Sequence, residues 1–265
     1  MAAAQMHMKP PKAVFLQIMP WQETVCVQNF WSLVVDVCFY CFHLLFLFTI
    51  LQTKRITMKS LLELNDDCLI EIFQYLSLVE TFNVIDVHNN RLTDIARQRI
   101  ATFKELNIQI REFPNFTSKQ LQIIGASLRS LIMSAGYSIP TQTVLNIIKP
   151  LCEGAATTNQ LREFTLNYVY FNKEICHYIG NVATKLQKLN LSYCQLTDEL
   201  LTELLKKCTN LKELHVLGNY TLNGYFLQNL CIPTLRLLKL EQHAEWNFSL
   251  EAYKIKNPNI QLITI

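Results

Sequence analysis

The sequence predicts an α/β solenoid, with parallel strands lining a concave face and helices outside, preceded by a small three-helix segment. Two observations carry that expectation. From Phe103 onward the pattern apolar-x-x-apolar-x-apolar starts at positions 103, 128, 161, 186, 211, 235 and 260, at intervals of 25, 33, 25, 25, 24 and 25 residues. Ahead of it, residues 59–100 carry apolar positions at helical spacing instead. A fixed period in this range means one strand-and-return unit per copy. No copy buries its apolar face alone, so successive copies stack into one continuous core.

Residues 1–57 differ in character from the rest of the chain. Phe30 to Leu51 reads FWSLVVDVCFYCFHLLFLFTIL, 22 residues interrupted only by Ser32, Asp36, His43 and Thr49. As a helix that length crosses a hydrocarbon core. Lys54, Arg55 and Lys59 come directly after it, which would leave the next domain on the cytosolic side. The run is too long for a secretory signal, and it lacks a small-residue cleavage site at its end. Met58 stands immediately before the helical segment, so the competing reading is an upstream extension that the functional protein lacks. Anchor and extension both stand; an apolar helix packed on the repeats is disfavoured, because its apolar residues run all round.

The segment 58–100 supplies the short helices. Asn65 or Asp66 caps the first, with Asp67 and Glu71 in its first turns and Leu69, Ile72, Phe73 and Leu76 on one face. A second runs through Phe82 and Ile85, and a third from Leu92 toward Ile100. So small a set leans on the repeats or on a partner. In residues 101–265, the last two apolar positions of each copy, such as Leu189 and Leu191, alternate along a strand and point inward. The sharpest copy is LQKLNLSYCQLTDELLTELLKKCTN at 186–210. Thr197 is its N-cap, Asp198 and Glu199 come next, and Lys206 and Lys207 lie in the last turn. Leu200, Leu201, Leu204, Leu205 and Cys208 form the face that packs on the strands. The 33-residue interval predicts an inserted loop within KPLCEGAATTNQ, 149–160. The last copy reaches Ile265 with its strand barely complete and no polar cap, which predicts a covering partner or a longer relative.

Composition narrows the function classes. The formal charge is +3, and of 24 basic and 21 acidic residues four and two lie in 1–57, leaving 20 against 19 elsewhere. Nucleic acid is therefore not an expected partner. The nine cysteines (26, 38, 41, 68, 152, 176, 194, 208, 231) are odd in number and scattered, unlike a disulfide framework. Cys38 and Cys41 form a CxxC inside the apolar run, with no second pair to complete a tetrahedral site. The expectation is reduced cysteines in a cytoplasmic or nuclear protein, with no metal and no cofactor. Cys176 beside His177, and His215, His243 and Glu245, are the only hints of nucleophile or metal chemistry. No third orienting group accompanies them, and six glycines leave little material for a phosphate loop, so no catalytic site is expected.

The 186–211 copy closely resembles the cysteine-containing subtype of leucine-rich repeat, with Cys194 at the turn position, then Leu196-Thr197-Asp198, then Cys208 ahead of Leu211. The other copies fit more loosely: Tyr137 and Val169 fall where a polar turn residue is expected, and Asn219 and His243 match in part. Residues 60–100 resemble an F-box. Its Leu-Pro-x-Asp opening is matched by Leu64-Asn65-Asp66-Asp67 and its Val-Cys by Val87-His88, with Arg91 where a tryptophan is common. Together the two resemblances imply an F-box/leucine-rich-repeat substrate-recognition subunit of an SCF-type cullin–RING ubiquitin ligase. Its helices would dock on the linker subunit joined to the cullin scaffold, through Leu64, Leu69, Ile72, Phe73, Leu76 and Leu78, with Phe73 the favoured anchor. Strand alternation puts Lys188, Asn190, Ser192, Glu213, His215, Leu217, Leu237, Lys239 and Glu241 on the concave face, which would hold an unknown substrate protein. The rivals are a cytosolic repeat scaffold with no ligase contact and a membrane-anchored receptor facing outward. The latter would use the acceptor patterns at Asn115, Asn190, Asn219 and Asn247 for glycosylation, although Asn190 lies in a predicted strand.

Overall fold

The computed structural model describes residues 61–85, 89–228, 230–242, 246 and 249–264. The apolar run 30–51, Val87-His88, His243, Glu245 and Asn247 lie outside the described residues. The chain divides into two compact units, Met1–Glu63 and Leu64–Ile265. Of the first, only a 3-10 turn at Leu61–Glu63 is described.

The second unit opens with α1 (Asp66–Phe73), α2 (Leu78–Ile85) and α3 (Asn90–Thr102). Each begins where a short polar side chain meets free backbone N–H groups. Asn65 Oδ1 accepts from Cys68 N at 2.9 Å and Asn89 Oδ1 from Leu92 N at 3.1 Å. Ser77 and Glu80 cap α2 reciprocally, the carboxylate accepting from Ser77 N at 2.7 Å and the hydroxyl from Glu80 N at 3.3 Å. Asn65 thus turns the proline position of the resemblance into a cap. Arg91, at the tryptophan position, pairs with Asp66 at 2.6 Å and donates to the Leu64 carbonyl, tying α3 to the start of α1.

Seven strands then form one wholly parallel sheet, ordered as in the chain: β1 (Glu105–Gln109), β2 (Ser130–Ser134), β3 (Glu163–Asn167), β4 (Lys188–Asn190), β5 (Glu213–His215), β6 (Leu237–Leu240) and β7 (Gln261–Thr264). The register aligns Leu106, Leu131, Phe164, Leu189, Leu214, Leu238 and Leu262 in one row. This is the period-2 alternation the sequence predicts, and Leu189 and Leu191 are fully buried. The return segments are α4 (Ser118–Ser127), α5 (Thr141–Thr158), α6 (Lys173–Gly180), α7 (Asp198–Leu205) and α8 (Leu250–Lys256). Between β5 and β6 a 3-10 turn, Tyr225–Leu227, entered at Gly224 with φ 83°, replaces the helix. In α7 Thr197 is the cap, and Leu201, Leu204 and Leu205, with Cys208 just past the helix, are buried while Leu200 is half-buried.

One expectation is corrected. Residues 149–160 are not an inserted loop; through Thr158 they are the second half of α5, which Asn159 closes in the left-handed region at φ 52°. The proline and glycine that read as loop signals serve packing instead. A Cβ on Gly125 would lie 2.2 Å from Leu151 O, and one on Gly154 2.0 Å from Gln122 O. The backbones of α4 and α5 therefore touch, which a longer helix with glycine at the crossing allows and a loop would not.

Buried polar groups link consecutive copies. Asn219 Oδ1 accepts from Cys194 N at 2.9 Å and Leu196 N at 3.1 Å, and its Nδ2 donates to the Leu191 and Val216 carbonyls at 2.9 Å. Asp198 accepts from Asn223 N at 2.7 Å and Phe226 N at 2.8 Å. Side chains buried with every donor and acceptor used hold adjacent turns in register.

Candidate interaction surfaces

The helices distribute the six docking residues unevenly. Leu69 and Phe73 are interior, 0% and 2% exposed, and close on Leu92, Ile95 and Ala96. Leu64, Ile72, Leu76 and Leu78 are half-buried around them. Phe73 is therefore core and not the free anchor expected of it, because α1 and α3 need a large apolar side chain between them. Exposed apolar surface lies instead at Ile70, Tyr75 and Val79, on α1, the α1–α2 turn and α2. Beside it, Ile70, Gln74, Gln98, Arg99 and Thr102 line an open groove of about 280 Å³ floored by Phe73 and Ile95. Arg99 is fixed there, donating to Thr102 Oγ1 at 2.9 Å with its guanidinium 4.2 Å above the Phe103 ring.

The residues expected on a concave face lie in or just past β4–β6. Lys188, Glu213 and Leu237 share one row across β4–β6, and Asn190, His215 and Lys239 the next. Ser192, Leu217 and Glu241 lie just past the strand ends. Lys188 pairs with Glu213 at 3.6 Å, and Glu241 accepts from Gly218 N at 3.1 Å. Ser192 is buried, its hydroxyl donating to Asn190 Oδ1 at 2.6 Å, so it offers a partner little. The His215 Nε2 is buried without a hydrogen bond, 3.8 Å from the Glu213 carboxylate.

Sequence reasoning passed over a third surface. The turns after β2–β5 expose Tyr137, Tyr168, Tyr170, Tyr193 and Tyr220 along one edge of the sheet. Tyr168 and Tyr193 stack at 4.9 Å with 12° between planes, and Tyr137 lies 6.0 Å from Tyr168 and 5.4 Å from Tyr170. The Tyr137 hydroxyl donates to the Tyr193 carbonyl at 2.8 Å, and burial, its largest influence, raises its pKa. Tyrosine recurring past β2, β3, β4 and β5 is the signal along the chain, and it competes with the polar turn residue expected there.

The nucleophile hints separate. Cys176 faces inward from α6, its thiol pushed up by burial, whereas His177 is exposed in an open groove with Lys149 and Glu174. Burial also pushes the Cys152, Cys194 and Cys208 thiols up to about 12, which keeps them protonated as small apolar side chains. Among the described residues no helix is long and apolar enough to cross a membrane.

No protein-family model matches the chain, and no curated protein sequence matches it. Among solved structures it is similar to a chain of the crystal structure of the Rad7 and Elc1 complex in yeast, over 92% of this chain and 73% of that one, at 14% identity and a TM-score of 0.41. A likeness of that size carries no argument about what this chain binds.

Proposed function

We propose that this chain is the substrate-recognition subunit of an SCF-type ubiquitin ligase, working in the cytoplasm or nucleus and catalysing nothing itself. The observation that carries the reading is the direct union of a small helical cluster, with apolar side chains left outside its core, and a parallel repeat sheet with an extended open face. The cluster would dock on the linker subunit through Ile70, Tyr75 and Val79, backed by the half-buried Leu64, Ile72, Leu76 and Leu78. The concave face would hold the protein to be ubiquitinated. Burial of Leu69 and Phe73 favours the second reading, a repeat scaffold with no ligase contact, since it leaves the cluster a smaller apolar surface.

Co-purification of the full chain with the linker subunit separates the two. The wild type is expected to bind, and a Tyr75→Ala, Val79→Glu double variant to bind about ten-fold more weakly, as loss of an exposed aromatic anchor does. A folded wild type that does not bind the linker leaves the scaffold reading in place.

A further inference from the structure

The tyrosine edge has the composition of a recognition surface, and its chemistry selects one kind of occupant. We propose that it anchors an extended, proline-rich segment of the protein that the repeats hold. The inference rests on the reading of the repeats as a partner-binding surface and is independent of the ligase contact.

The edge is built and not incidental. Tyr168 and Tyr193 adopt left-handed backbone at φ 59° and 58°, uncommon for bulky residues and maintained only where the surroundings enforce it. Gly218 occupies the same place one copy later, also left-handed at φ 64°, and a Cβ there would lie 2.1 Å from the Tyr193 ring. Glycine thus closes the stack, leaving Tyr193 between Tyr168 and a bare backbone. Tyr168 and Tyr170 keep large exposed faces, 42% and 47%, and their hydroxyls make no hydrogen bond with the described residues.

Charge and spacing exclude the other aromatic-binding ligands. The turn segments 135–140, 168–172, 193–197 and 218–223 contain no Lys, Arg, Asp or Glu. From outside them, Arg111 donates to Ser138 Oγ, and the Glu241 and Asp198 carboxylates accept from Gly218 N at 3.1 Å and Asn223 N at 2.7 Å. Single-stranded nucleic acid and phosphopeptides need basic residues that this edge lacks. A methylammonium needs rings held apart as a cage, whereas here they touch one another at 4.9–6.0 Å.

A polyproline II segment fits what remains. It repeats a face every three residues, about 9.3 Å at ~3.1 Å per residue. Two inter-strand spacings of about 4.8 Å come to nearly the same length. A chain running across the strands would therefore present a proline ring to every second copy, and its unpaired carbonyls would accept from the hydroxyls of Tyr168 and Tyr170.

The test is fluorescence anisotropy of labelled decaproline with the purified full chain, beside a Gly-Ser decamer and a dT decamer as controls. Saturable binding of decaproline is expected, with each control about ten-fold weaker or absent. The Tyr168→Ala, Tyr170→Ala double variant should weaken it about ten-fold. Tyr170→Phe, which keeps the ring and removes the donor, should weaken it about three-fold. Tyr225→Ala, an exposed tyrosine of the return segment, should change nothing. No binding of decaproline to folded chain, binding indifferent to the double variant, or a dT decamer bound as tightly overturns the proposal. Linker binding, measured on the same variants, is expected to stay intact. Its failure in the wild type with decaproline binding preserved overturns the ligase reading alone.

Discussion

His215 stands on β5 with Asn190 and Lys239 opposite it in the flanking strands. Burial is the first cause that holds its pKa below 6.5; Lys239 and Lys188 add to it, and the Glu213 carboxylate, too distant for a hydrogen bond, only partly opposes them. The imidazole is therefore neutral in the fold when the unfolded chain already takes up a proton. Because the folded pKa is depressed, the stability linked to this group is complete above about pH 6.5 and is lost as pH falls through the folded pKa. Thermal unfolding from about pH 7.5 to 5.5 should thus show the wild type losing Tm more steeply than His215→Gln. Equal slopes would mean that His215 does not govern acid sensitivity. At this scale the sequence was legible wherever chemistry is local: Thr197 caps the helix it was expected to cap, and of Asn65 and Asp66 it is Asn65 that caps α1. It was illegible where meaning depends on neighbours one copy away, as with the Tyr168–Tyr193 stack, whose partners are joined only by the sheet.

Among the elements, the strands and α7 were readable because a period of 24 or 25 residues repeats one local pattern. The second half of α5 was not. Pro150 and Gly154 each argue for a break when weighed alone, and the pairing of Gly154 with Gln122 on α4 has no signature along the chain. Gly154→Ala gains about 1 kcal/mol of helix propensity. Against it, the new methyl would sit 2.0 Å from Gln122 O, a backbone atom that cannot swing aside, and overpacking of this kind costs about 1–3 kcal/mol or more. The clash should win, lowering the urea midpoint with little change in m. A variant more stable than wild type would show that α4 and α5 can slide apart at no cost. The helical cluster was legible in its three helices but not in its free surface, since helical spacing marks an apolar face without saying whether protein or partner covers it. Phe73 fell to the protein, and Ile70 and Tyr75 were left out.

Over the whole described unit, the apolar interior forms two clusters. One holds Leu69, Phe73, Leu92, Ile95 and Ala96 within the helices; the other runs from Phe82 and Ile100 through the repeats to Tyr253. The boundary does not coincide with the change from helices to strands. Phe82 leaves α2 to pack edge-on against Phe116, at 5.6 Å between ring centres, on the segment between β1 and α4. The short helices, too few to bury a core alone, thereby borrow one from the first repeat. Solenoids couple mainly through neighbours, so a single ring can decide whether the end of the array unfolds with the rest. Phe82→Ala removes a side chain only 3% exposed and should cost about 3–5 kcal/mol. Beyond that loss, it should separate the transitions: in hydrogen exchange across a urea series, amides of α1–α3 should lose protection at lower urea than those of β3–β5, whereas the wild type loses both together. If the variant still opens in one step, Ile100 and the α3–β1 connection must suffice to join the helices to the sheet, and the contact of Phe82 with Phe116 is packing without a coupling role.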